Sequence, residues 1–227
     1  MHYDFKTKLN KIDSQQYRNL RIPEIDWKLN EAQELFVKMV AKPRLSKALG
    51  FETSQRSTDD IRTIVVDDYC STVIDSIGTL PPDYWHFLSG KTLMDKEQCL
   101  GFPATIKIRQ HDDEFEKSPF DCSSFEWREV NAVFYEMGLK LYDDGTFINK
   151  SYCISYIKKL NYIHNAEDFK SGTYNLPSGT VLAGSNDCIL PEHTHREIVD
   201  IAVLLATGEM QLPDFQNKQE KVNLNQR

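Results

Sequence analysis

The sequence predicts a mixed α+β fold: a helical core built from N- and C-terminal segments, an inserted antiparallel β lobe, and an extended C-terminal arm. Three observations predict it. Apolar residues recur at helical spacing near both ends, they alternate with period two through the middle, and the last residues are polar with isolated hydrophobics. The implied organisation is an N-terminal arm over 1–20, then a first part of the helical core over 21–75. A mainly antiparallel β lobe over 76–165 follows, then a turn-rich segment and core helix over 166–210, and the extended arm over 211–227.

The first helix opens at Pro23, with Glu24 and Asp26 near the positive end of its dipole. Ile25, Leu29, Ala32, Leu35/Phe36 and Met39/Val40 form one apolar stripe, and Pro43 ends it. Ser57-Thr58-Asp59-Asp60 signals a second start into Ile61, Ile64 and Val65, although Ile64-Val65-Val66 has equal claim to be a strand. In the middle, Thr105–Arg109 and Tyr152–Lys158 alternate, and Val130–Tyr135 is rich in β-branched and aromatic residues. Leu139-Lys140-Leu141-Tyr142 alternates again and runs into Asp143-Asp144-Gly145, a hairpin-turn signal. Ser171-Gly172-Thr173 and Ser178-Gly179-Thr180 mark the turn-rich stretch. The last helix starts near Pro191-Glu192, carries Ile198, Ile201, Ala202 and Leu205 on one face, and stops at Gly208.

Composition narrows the function classes. With 40% hydrophobic and 27% charged residues the 227-residue chain reads as an ordinary globular protein with a sizeable core. Its longest apolar run, Ile201–Ala206, is far short of the roughly 20 residues of a membrane-spanning helix. Met1-His2-Tyr3-Asp4-Phe5-Lys6 lacks a signal-peptide core, so synthesis in a cytoplasm is expected. Cys70, Cys99, Cys122, Cys153 and Cys188 include no C-x-x-C pair, and reduced, mostly buried thiols are expected. A net charge of −7 speaks against tight non-specific nucleic-acid binding and suits a wall past which DNA slides.

No segment sets out a complete catalytic, cofactor or metal constellation, so the chain reads as a structural protein rather than an enzyme. Ser89-Gly90-Lys91-Thr92 carries the end of a phosphate-binding loop, but the glycine needed five residues before Gly90 is Trp85. A polar turn is the simpler account. Glu192-His193-Thr194-His195 resembles a metal-binding pair, yet histidines two apart on a helix face different ways. His193, Glu197 and Asp200 share a helical face, where solvated side chains are the commoner explanation. The alternative function is a small cytosolic hydrolase, with Cys188 and His193 as thiol and base. The acidic pairs Asp59-Asp60, Asp67-Asp68, Asp112-Asp113 and Asp143-Asp144 offer a second hydrolytic route, through metal ions. The aromatic clusters Tyr84-Trp85-His86-Phe87, Phe125-Glu126-Trp127 and Phe134-Tyr135 divide between core and subunit interface. Leu212, Phe215, Val222 and Leu224 punctuate the tail and are the candidate subunit-interface residues.

Several stretches in fixed order carry a resemblance. They are Leu29-Asn30-Glu31-Ala32-Gln33, Phe51-Glu52-Thr53-Ser54-Gln55, Asp59-Asp60-Ile61-Arg62, Leu80-Pro81-Pro82-Asp83-Tyr84, Ser155-Tyr156-Ile157-Lys158-Lys159 and Leu190–Ala202. Over residues 20 to 210 the chain resembles the head-to-tail connector, or ring, proteins of crAss-like short-tailed phages. The resemblance implies a virion subunit in a homo-oligomeric, twelve-fold ring stacked below the portal, with terminal arms locking neighbours. Implied partners are further copies of itself, the portal, neighbouring tail ring proteins, and passing double-stranded DNA without specific binding; no membrane is implied. It implies no cofactor, no metal and no catalytic residue. A monomeric adaptor for a single protein partner is the other alternative.

Overall fold

The computed structural model describes residues 1–9, 20–41, 59–97, 99–110, 121–136, 138–209, 219 and 222. It divides the chain into two compact units, Met1–Ile64 with Leu160–Arg227, and Val65–Lys159. Helices and strands are both abundant, so the fold is α+β. The strands do not form an open lobe, however. They close into a barrel.

In chain order the barrel strands are β1 (Val65–Ile74), β2 (Ile77–Gly78), β3 (Tyr84–Lys96), β4 (Cys99–Ile108), β5 (Glu129–Tyr135), β6 (Gly138–Leu141) and β7 (Ile148–Lys158). Around the barrel the order is β1-β2-β6-β5-β4-β3-β7, and β7 returns to β1. Neighbours are antiparallel except β4 and β5, which pair in parallel from Thr105↔Glu129 to Ile108↔Ala132. Closure removes the exposed edges that an open sheet would present. The alternation read in the sequence is the inside–outside alternation of the wall. Ala104 and Ile106 of β4 and Tyr152, Ile154 and Tyr156 of β7 face in, packing with Met94, Val130, Ala132, Leu139 and Leu141.

Several expectations are corrected here. Val65–Ile74, assigned to the helical core, is a barrel strand; Asp59–Ile61 is one helical turn that passes through a 3-10 turn, Arg62–Ile64, into β1. Ser89-Gly90-Lys91-Thr92 is not a polar turn but part of β3, with Gly90 and Thr92 buried. Asp143-Asp144-Gly145 does not join paired strands, since β6 and β7 are not neighbours. It is a self-contained turn: the Asp143 carboxylate accepts the Gly145 N–H at 3.2 Å and the Asp144 carboxylate accepts the Thr146 N–H at 2.8 Å. A tight hairpin is found instead at Asp75-Ser76 between β1 and β2, where both residues have positive φ, 50° and 63°.

Two glycines permit a close crossing in the wall. A Cβ on Gly78 would sit 2.2 Å from the Tyr152 ring, and one on Gly138 would sit 2.2 Å from the Gly78 carbonyl oxygen. The expectation of reduced, mostly buried cysteines is overturned for two of the five, while Cys99, Cys122 and Cys188 are reduced thiols but not buried. Cys70 on β1 and Cys153 on β7 stand directly opposite one another and form a disulfide. Spacing alone could not reveal this pair, because closure of the barrel brings residues 83 apart in sequence together.

The other unit is built on α1 (His2–Leu9), α2 (Ile22–Ala41) and α3 (His195–Glu209). The stretch expected as an N-terminal arm therefore begins with a helix, whose Phe5 and Leu9 are buried. α3 packs against both α1 and α2, which explains its wide buried arc of Ile198, Val199, Ile201, Ala202, Val203 and Ala206. It runs through Gly208 rather than stopping there. On α2, Ile25, Leu29, Ala32 and Phe36 are buried as read, but Leu35 is exposed. Two small ladders, β8 (His164–Asn165) with β11 (Ser185–Asn186) and β9 (Thr173–Asn175) with β10 (Val181–Ala183), organise the turn-rich segment.

Beside its apolar stripe α2 buries a polar one, Asp26, Asn30 and Gln33, which holds the backbone of residues 161–165. The Asn30 amide donates to the Ile163 carbonyl and its oxygen accepts the Ile163 N–H, both at 2.8 Å. Gln33 donates to the Asn161 carbonyl at 2.9 Å. The Asp26 carboxylate accepts the Tyr174 hydroxyl and the Asn165 N–H, and His2 Nε2 lies 2.7 Å from its other oxygen. Unpaired, each of these buried groups would carry a desolvation penalty; paired, they fix the register of the 161–165 segment on α2.

Candidate interaction surface

Partly buried aromatics pack against the barrel core toward its two ends. Tyr84, Phe87, Phe134 and Tyr156 meet ring to ring toward one end of the barrel, with centroids 5.7 to 5.9 Å apart. Toward the other end Phe102 stacks on Phe125 at 5.0 Å. Arg128 lies over the Phe102 ring at 4.5 Å and Lys96 over the Phe125 ring at 5.3 Å. Burial pushes the Tyr84 and Tyr152 hydroxyls up to about 12. Tyr156 is also pushed up to about 12, by burial and then by its hydrogen bond to Asp83. These phenols stay neutral donors near neutral pH and are poorly matched to acid–base work.

The second end of the barrel carries an apolar rim. Ile74 at the β1–β2 turn, Leu100 at the start of β4, Trp127 in the turn before β5 and Ile148 at the start of β7 are 69%, 72%, 80% and 72% exposed. The register places the ends of β1 and β3 and the starts of β4 and β7 toward the same end of the barrel: Thr72 opposes Ser151 on β7, Asp95 opposes Ile148, and Lys96 opposes Cys99. Trp127 is tied to the same end by its neighbour Arg128, which covers Phe102. Asp95 braces the rim, accepting the Gly101 N–H at 2.6 Å and pairing with Lys150 at 3.1 Å. The Gly101 hydrogen bond first, and then Lys150, hold the Asp95 carboxyl below its ordinary range. Scattered exposed hydrophobics are ordinary; four large ones toward one end of the barrel make that rim a candidate contact surface.

The residues singled out for chemistry are dispersed. His193 Nε2 lies 2.8 Å from an Asp60 oxygen, whereas His195 Nε2 lies 3.0 Å from the Leu190 carbonyl oxygen, so the two imidazoles have separate partners. Asp200 pairs with Lys8 at 2.8 Å. The Cys188 thiol points at the Gln33 side-chain oxygen, 3.8 Å away, and burial pushes its pKa up, which disfavours the thiolate. Asp59 lies beside Arg62, and Asp67-Asp68 occupies an irregularity in the β1–β7 pairing. Asp112-Asp113 lies outside the described residues. Among the described residues no group of three or more His, Cys, Asp or Glu is placed to hold a metal ion.

Of the tail residues expected at a subunit interface, Leu212, Phe215 and Leu224 lie outside the described residues. Val222 is helical and buried, so at this position the tail is neither extended nor solvated. The rim escaped the sequence reading, although Trp127 and Phe125 were flagged as a cluster. Its signal was the break in alternation at the strand ends, where large hydrophobics fall beyond the last inward-facing position. No helix among the described residues is long and apolar enough to cross a membrane. The sequence matches no protein-family model and no curated protein.

Proposed function

We propose that this chain is a structural virion subunit, closing a homo-oligomeric ring in the head-to-tail connector of a short-tailed phage, below the portal. Its work is mechanical: a conduit through which the genome is packaged, retained and ejected. The sequence patterns from Leu29 to Ala202 support the reading, and the observation that carries it is the apolar rim of Ile74, Leu100, Trp127 and Ile148. In a head-to-tail ring one surface of each subunit meets a different surface of the next, so a single apolar rim per subunit suffices. The net charge of −7 favours a wall that does not hold passing DNA. The portal and adjacent tail rings are the proposed partners, the virion is the proposed location, and synthesis is in the host cytoplasm.

A monomeric adaptor that offers the same rim to one protein is the second reading, favoured by the confinement of the rim to one end of the barrel. The hydrolase alternative gains nothing from the raised pKa of Cys188 or from His193 beside Asp60. Native mass spectrometry and negative-stain microscopy across a concentration series, with and without the portal, test the ring. Closed rings of identical subunits are expected, lost in Leu100→Asp/Trp127→Ser protein that melts normally. A one-to-one complex, or a monomer even beside the portal, would replace the ring by the adaptor.

A further inference from the structure

We propose that Cys70–Cys153 is a redox-modification site, opened in the native protein by soluble dithiols, re-formed by small-molecule disulfides, and setting the stability of the barrel. The inference does not depend on the ring reading. Its observations are position, exposure and pairing. Cys70 and Cys153 occupy an opposed pair on the outer face of β1 and β7, while their neighbours Tyr69, Tyr152 and Ile154 face the core. Cys70 is exposed and Cys153 half-buried, so an attacking thiolate reaches the bond without unfolding the wall.

The bond also spans the seam that joins the two ends of the barrel unit. β1 and β7 are the first and last strands of the unit, and the bond joins residues 83 apart in sequence. Among the described residues, β1 is paired on its other side at Val73↔Gly78 and Ile74↔Ile77, within its own hairpin with β2. From Val65 to Thr72 its ladder partner among the described residues is β7, and that ladder is interrupted between Val66 and Tyr69. β7, by contrast, is held along its other edge by β3. Cross-linking so long a loop restricts the unfolded chain strongly, so the oxidised barrel is favoured.

The exchange balances. A reductant thiolate attacks Cys70 Sγ, a mixed disulfide forms, and Cys153 leaves as a thiolate that takes up a proton. The reductant's second thiol then displaces Cys70, so the protein gains two thiols and the dithiol becomes a disulfide. The reverse reaction needs a small-molecule disulfide as oxidant, which is reduced to two thiols.

The test uses the full chain carrying Trp27→Phe, which leaves Trp85 and Trp127, both in the barrel unit, as reporters. Dithiothreitol without denaturant should make Cys70 and Cys153 alkylatable by peptide mass mapping. It should also lower the fluorescence melting midpoint by about 10 °C or more. Oxidised glutathione should restore the midpoint, and a Cys70→Ala/Cys153→Ala variant should melt like the reduced protein and ignore reductant. Free thiols at both positions in air-oxidised protein, a bond reduced only in urea, or equal midpoints before and after reduction would overturn the proposal.

Discussion

Asn30 shows how much one side chain can hold. Its amide group satisfies both backbone groups of Ile163 and also meets Gln33 and the Asp26 carbonyl. Asn30→Ala removes the partner of both buried backbone groups of Ile163, and a loss of roughly 2–4 kcal/mol is expected in urea unfolding. A loss below about 0.5 kcal/mol would mean that water replaces the amide. Cys188 lies beside the same polar stripe, its thiol pointing at the Gln33 oxygen. Half-buried, and with its pKa raised first by desolvation, it should alkylate far more slowly at pH 7 to 8 than the exposed Cys99. Timed mass mapping with iodoacetamide checks this, and a fast Cys188 would reopen the hydrolase alternative. None of this was legible in the sequence. Asp26 read there only as a charge near the start of α2, because it is the backbone of residues 161–165, more than a hundred residues on, that gives Asp26, Asn30 and Gln33 a reason to be buried.

At the scale of elements, periodicity was informative and turn chemistry was not. The stripe of α2, the alternation of β4 and β7 and the final helix were legible because one face of each packs on a core. β3 was hidden by the Gly-Lys-Thr inside it, since a glycine in a strand reads as a turn until its buried neighbours are known. The exposure of Leu35 against the burial of Leu29 and Ile198 now separates the helix faces. α2 and α3 pack together, so Leu29→Asp and Ile198→Asp should each destabilise the same unit by several kcal/mol. Leu35→Asp should cost less than about 1 kcal/mol. Circular dichroism melts of the three variants decide it; a Leu35→Asp loss as large as the others would place that face in a contact.

Over the whole molecule, the class and the helix–sheet–helix order were legible, while barrel closure and the disulfide were not, because both are products of long-range pairing. The tail sits between these cases. Isolated hydrophobics from Leu212 to Leu224 suggested an arm that orders only on a neighbour, yet Val222 is already buried within its own chain. Truncation after Met210 should therefore cost the isolated subunit up to about 1.5–3 kcal/mol, the worth of one buried aliphatic side chain. A ring locked by the tail would lose assembly as well, so truncation alone confounds folding with locking. Leu212→Ser/Phe215→Ser separates them, since it spares Val222 and removes apolar surface that a neighbour would cover. The expected outcome is an unchanged melting midpoint in the double variant with weakened ring formation in native mass spectrometry. Full-strength rings from that variant would assign closure to the barrel rim and leave the tail a role within its own subunit.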